Sequence, residues 1–311
     1  MSFGRLGTNI FLRRPAAPFR AASVKRAIGG CVYKPTAIIA VLCAVAWTIA
    51  PVKAEDPDIS SRRAAERRDF TNDEIRDGFF KIAFRAELQV GRPAERVRKF
   101  DEPVRIFVDG KPPLARRATM AAIIADIRRR VDHLDIAITG DRYEANFVVM
   151  LVADRDVAAT IRSRYGRDRA AQIEKSLAPQ CLSGIAKDNQ FRIRRAEAIL
   201  PVDADDFTFS DCAYEEILQG LGVINDDPSV PWTMFNDDVQ MGFFDVYDQY
   251  LLNILYDPRI RPGMTRSEVG ARLSGVLATT RVFVTRINAA DRAASRASTE
   301  AAQVAPSPKA N

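Results

Sequence analysis

The sequence holds one histidine, His133, in 311 residues. A zinc centre built on two or three imidazoles is therefore excluded. Any Ser-His-Asp or Cys-His arrangement would have to be assembled on His133, which reads as sitting at a helix end. Acidic residues are missing from the first 54 positions. A glycine-rich phosphate loop is missing too, since Gly220-Leu221-Gly222 lacks the rest of the fingerprint. The apolar run Thr36 to Ala50 falls short of the ~20 residues of a membrane span. Cysteine is scarce, with four in the chain. No internal repeat is present.

The missing acids account for the basic character of the chain, whose formal charge is +6 and whose pI is about 9.2. Arg5, Arg13, Arg14, Arg20, Lys25, Arg26, Lys34 and Lys53 all lie within residues 1–54. Without those eight, 38 basic residues face 40 acidic ones, a charge near −2. Aromatic residues are not interleaved with a basic stripe, so a nucleic-acid role has no support. The leader instead has a basic stretch to Lys34, the apolar run, and Pro51-Val52-Lys53-Ala54 before Glu55-Asp56. This order reads as a signal peptide over residues 1–54, cut after Ala54, with an uncleaved anchor as the alternative. Leu42 beside Cys43 fits a lipoprotein signal poorly. The expected location is periplasmic or secreted, with membrane contact only through an uncleaved leader.

Cleavage leaves Cys181 and Cys212. An even pair in an oxidising compartment suggests one disulfide closing a 31-residue loop, with two buried free thiols as the alternative.

Residues 55–69 are charged and aperiodic, and read as a linker. Thr71-Asn72-Asp73-Glu74 is a capping box opening a helix with Ile75, Phe79, Ile82 and Ala83 on one face. Pro103 to Val108 reads as a strand, Ala118 to Val131 as a helix whose Arg128–Arg130 run is either a solvated face or a binding patch, and Leu134 to Thr139 and Ala145 to Val152 as strands. Val157 to Tyr165 reads as a helix and Phe191 to Val202 as a long strand. Asp211 is expected to open a helix ending at Gly222, and Asp245 to Leu255 is expected to be helical. Thr265-Arg266-Ser267-Glu268 is a second capping box, opening a helix to about Ile287. Residues 288–311, rich in Ala, Ser and Pro, read as a disordered tail. Residues 70–287 then form a single domain.

The most informative segment is Glu215-Glu216-Ile217-Leu218-Gln219-Gly220-Leu221-Gly222-Val223-Ile224-Asn225-Asp226. Its frame resembles the metzincin zinc-peptidase motif H-E-x-x-H-x-x-G-x-x-H. In that motif, ligands at i and i+4 share a helix face, Glu at i+1 reaches the metal-bound water, and Gly lets a third ligand return. Glu216 stands at the general-base position and Gly222 at the turn. Glu215, Gln219 and Asn225 stand where the histidines belong. Met234 stands where a methionine turn would pass beneath the metal, and Asp248 to Tyr256 resembles the closing helix of such domains. The chain is also similar to the bacterial domain-of-unknown-function family 2927. That similarity rests on the Cys212…Glu215-Glu216 helix, the Gly222…Asn225-Asp226 turn, Phe235-Asn236-Asp237, and Leu255-Tyr256-Asp257-Pro258-Arg259 with Pro262-Gly263-Met264; it implies no established activity.

The resemblance implies an α+β fold, a zincin-like mixed sheet packed against helices, with a central degenerate active-site helix and a C-terminal helix. Glu215, Gln219 and Asn225 make a poor zinc site, and their oxygens would suit Ca²⁺ or Mg²⁺ better. Asp226-Asp227 and Asp237-Asp238 could also serve as cation ligands, although turns favour aspartate in any case. The acids of the helix could equally be solvated residues in its early turns. No cofactor and no catalytic metal is expected. The expected function is a non-catalytic pseudopeptidase that binds a periplasmic peptide or protein. The alternatives are a hydrolase with an oxygen-ligated metal and a purely structural envelope protein.

Overall fold

Phe147–Val152 is apolar at every position because this strand, β3, is covered on both faces. Phe147, Val149 and Leu151 join the main core, while Val148 and Met150 face a second apolar cluster. Unbroken apolar runs of this kind mark the central strands of parallel sheets. The computed structural model describes residues 55–84, 95–177 and 180–304. The expected signal peptide lies outside the described residues.

β3 is the centre of a five-stranded sheet that also contains β1 (Val104–Asp109), β2 (Ile136–Ile138), β4 (Leu182–Lys187) and β5 (Ile193–Pro201), in the order β2-β1-β3-β5-β4. The pairs β1/β2, β1/β3 and β3/β5 are parallel, and β4 runs antiparallel to β5 at the edge. Helices cover both faces of this mixed α/β sheet. On one face α4 (Val157–Tyr165) and α5 (Arg167–Leu177) supply Val157, Ile161, Ala170 and Ile173 to the smaller cluster. The larger core takes residues from α2 (Asn72–Ile82), α3 (Leu114–Arg130), α6 (Asp206–Gly220), α7 (Val246–Tyr256) and α8 (Arg266–Val304). The described residues form one compact unit. Among the described residues, no helix is long and apolar enough to cross a membrane.

Both capping boxes form: Thr71 and Glu74 close the start of α2, and Thr265 and Glu268 that of α8. Other segments differ from expectation. Residues 55–69 contain the helix α1 (Pro57–Ala65), started by the Asp56 cap and Pro57 and fastened by Ile59 and by arginines on aromatic rings. α6 begins at Asp206 behind the Asp205 cap, so Asp211 lies inside it, where its carboxylate accepts the Met241 and Gly242 N–H groups. β5 begins at Ile193 because Phe191 adopts φ 64° in the turn from β4. α8 continues past Ile287 to Val304, since an alanine-rich stretch that reads as disorder is also a strong helix former.

Candidate functional site

α6 is buried along most of its length, which is unusual for a helix carrying Glu215, Glu216 and Gln219. Glu216 is 5% exposed and Gln219 8%. The helix approaches the sheet closely at Gly220, where a Cβ would stand 2.5 Å from the Phe147 ring. Midway along it the Cys181–Cys212 disulfide, with Cα atoms 6.0 Å apart, ties it to the start of the edge strand β4.

One helical turn separates Glu215 from Gln219, and the Gln219 amide connects three elements. Its Oε1 accepts the Ser183 hydroxyl of β4 at 3.0 Å. Its Nε2 donates to Asp226 Oδ1 at 3.2 Å and reaches Glu215 Oε1 at 3.5 Å. Gly222 makes the return possible. At φ +127° it places its missing Cβ 2.1 Å from the Arg98 carbonyl oxygen, a position no side chain can occupy.

The residue that returns to the helix is Asp226. Asn225 is buried, but its Nδ2 donates to the Lys81 carbonyl at the end of α2. The frame therefore brings Glu215 and Gln219 together as its spacing implies, and the next residue in the turn takes the place expected of Asn225. A further carboxylate arrives from the following loop: oxygens of Glu215, Asp226 and Asp237 all lie within 4.8 Å of one another. The Asp226-Asp227 and Asp237-Asp238 pairs were visible in the sequence. What could not be read there was which aspartate of each pair turns inward. Ser183, on a strand the sequence did not reveal, carried no signal at all.

The carboxylates shape one another's chemistry. Burial, and then the charges of Glu216, Asp226, Asp211 and Asp237, push the Glu215 carboxyl well above its ordinary range. A group so placed favours protonation, a hydrogen-bond donor or a cation beside it. Three carboxylates and one amide could hold a hard cation such as Ca²⁺, which takes oxygen ligands in flexible geometry. The Gln219 amide would have to turn its oxygen inward for this, and Ser183 permits the turn because a hydroxyl both donates and accepts. His133 takes no part, and lies 3.5 Å from Asp132 beyond the end of α3.

Met234 is buried in the loop between α6 and α7. Its N–H donates to Asp248 Oδ2 at 2.9 Å, and the Thr233 hydroxyl donates to Asp248 Oδ1. Burial raises the Asp248 carboxyl to about 6 against the hydrogen bonds that hold it down. Asn236 reaches the Val230 carbonyl, and the Phe235 carbonyl accepts from Asp227 N–H. The loop that delivers Asp237 is thus braced by side chains from within and from α7.

Residues 72–275 match a family model described as Protein of unknown function (DUF2927). No curated protein and no solved structure matches the chain.

Proposed function

The chain belongs to the DUF2927 family, whose description assigns no activity, and we propose from the site itself that it is an exported, zincin-like pseudopeptidase that binds an extended peptide or a partner's extended segment without cleaving it. One observation carries the reading: the edge strand β4 is hydrogen-bonded through Ser183 to Gln219, beside the carboxylates of Glu215, Asp226 and Asp237. A sheet edge offers main-chain hydrogen bonds to an added strand, and side chains next to it supply specificity. Here they are acidic, which favours a peptide bearing lysine or arginine. The frame of Glu216, Gly222 and Met234 supports the zincin-like part of the reading. With no imidazole at the three ligand positions, Glu216 lacks the activated water on which it would act.

The test uses labelled peptides of alternating valine and lysine, with valine–glutamate peptides as control. Only the lysine series should bind. Glu215→Gln with Asp226→Asn should weaken binding at least tenfold, since two charge-assisted contacts at roughly 1.5–3 kcal/mol each would be reduced. Mass spectrometry of the mixture should show intact peptide. Cleavage, or equal binding of both series, rejects the reading.

The trio of carboxylates favours a second reading, a Ca²⁺- or Mg²⁺-dependent hydrolase. Calorimetric titration with each ion separates the two, because saturable binding abolished by Asp237→Asn belongs only to the second.

A further inference from the structure

Residues 56–70 lie against the loop that delivers Asp237, held there by an unusual set of contacts. The Arg62 guanidinium donates to the Gln240 carbonyl at 2.5 Å and sits 4.8 Å from the Phe207 ring. Arg63 lies 4.1 Å from the Phe243 ring. Arg67 stacks on both Phe70 and Trp232. Ile59 is buried beside Gly242. Cation–ring contacts of this kind are individually modest, about 0.5–1 kcal/mol where exposed.

Glu66 is different, because its carboxyl is buried at the start of α7, next to the acidic cap Asp245. Its side chain is 5% exposed, and its Oε1 accepts the Val246 N–H at the start of α7 at 2.6 Å. Its Oε2 lies 3.2 Å from Arg68 Nε. Asp245, the cap of α7, and Asp248 are both buried nearby. Asp245 Oδ1 accepts the Asp248 N–H, while Oδ2 is buried with no hydrogen-bond partner among the described residues. A carboxylate oxygen in that position lacks a donor, whereas a protonated acid brings its own. The three acids do not converge as cation ligands; among the described residues that arrangement occurs only at Glu215, Asp226 and Asp237.

We propose that residues 56–70 are a proton-tightened strap, which docks on the loop between α6 and α7 in acid and lets go as the pH rises through neutrality, freeing the loop that carries Asp237. The proposal does not depend on what the site binds.

The charges around Glu66 agree with this direction. Burial, and next Asp245, push its carboxyl up to about 7, against the Val246 N–H, Arg68 and Arg63, which lower it. Burial and Asp248 raise Asp245 well above the ordinary carboxylate range. Glu74 and Asp77 of α2 add negative charge beside Tyr247. Arg67 is engaged by Glu74 at 2.8 Å, and Arg281 of α8 by the Phe70 carbonyl and Asn72. On release, Glu66 returns to its ordinary value of 4.5. Between these two values the docked strap holds a proton that the free strap has lost. Docking is therefore fully supported below 4.5 and weakens until the pH passes 7.

Hydrogen exchange on the full chain, corrected for the chemical rate at each pH, tests this. Opening of the α1 amides should increase about 70-fold from pH 5 to pH 8, the change given by one carboxyl titrating at about 7 docked and 4.5 free. The α3 amides should not follow. Glu66→Gln keeps an acceptor for Val246 N–H and should remove the pH step. Arg67→Ala should open the strap at every pH and keep the step. A pH-independent α1, a step that survives in Glu66→Gln, or α1 and α3 opening together would each overturn the proposal. If Glu66→Gln does not fold, carbon-13 titration of the Glu66 carboxyl decides, and a midpoint near 4.5 overturns it.

Discussion

Replacing Cys181 and Cys212 together by serine is expected to lower the unfolding free energy by about 3.7 kcal/mol, the entropy of closing a 31-residue loop in the unfolded chain. In a domain of this size that loss corresponds to roughly 10 °C in melting temperature. The bond joins the start of the edge strand β4 to α6, three residues before Glu215, so the loss should be felt at the site as well as globally. Calorimetry of the wild type with and without reductant, beside the double variant, provides the check. Reduced wild type and variant should melt together, well below the oxidised protein. If oxidised wild type and variant melt within about 2 °C of each other, the bond contributes little.

A second large effect is expected at Gly222. Gly222→Ala must adopt a positive φ and must displace the Arg98 carbonyl, at a cost of about 2–4 kcal/mol when backbone strain and overpacking are combined. Gly140→Ala is the matched control, since nothing lies within 4 Å of its added Cβ. Urea unfolding should separate the two variants clearly. Equal midpoints would show that the turn after Gln219 relaxes easily, and that the return of Asp226 to the helix is not fixed by the glycine.

Much of the fold was legible because its signals are local. A capping box is four residues long, and those at Thr71 and Thr265 both start helices. β3 could be recognised from its apolar run, and α4 from its periodicity. β4 was not recognised, because Leu182-Ser183-Gly184-Ile185-Ala186-Lys187 is short, contains glycine and shows neither clear alternation nor a run. α5 carries too few apolar residues to show its face. At the candidate site, the relative places of Glu215, Gln219 and Gly222 are set by one helix and the turn that ends it, which is the kind of local relation that sequence spacing carries. Spacing could not choose between Asn225 and Asp226, because a single residue of slip in a turn exchanges the inward side chain for its neighbour. Asp237 and Glu66 come from distant segments, and only folding reveals their company.

The sheet order also dictates a sequence of assembly. β4 and β5 are joined by a short turn, and Cys181 and Cys212 flank that hairpin and the first turns of α6. This unit can form from residues close together in the chain. The parallel pairs made by β3 reach further: Phe147 of β3 meets Ala196 of β5, and Ile106 of β1 meets Phe147, each across roughly forty to fifty residues. Contacts between such distant residues form slowly, because the entropy of closing the loop is lost before the contact is gained. The helix with Glu215 and the strand with Ser183 should therefore find each other early. Pulse-labelled refolding should protect β4 and β5 before β1, and the bond between the cysteines should precede the completed sheet.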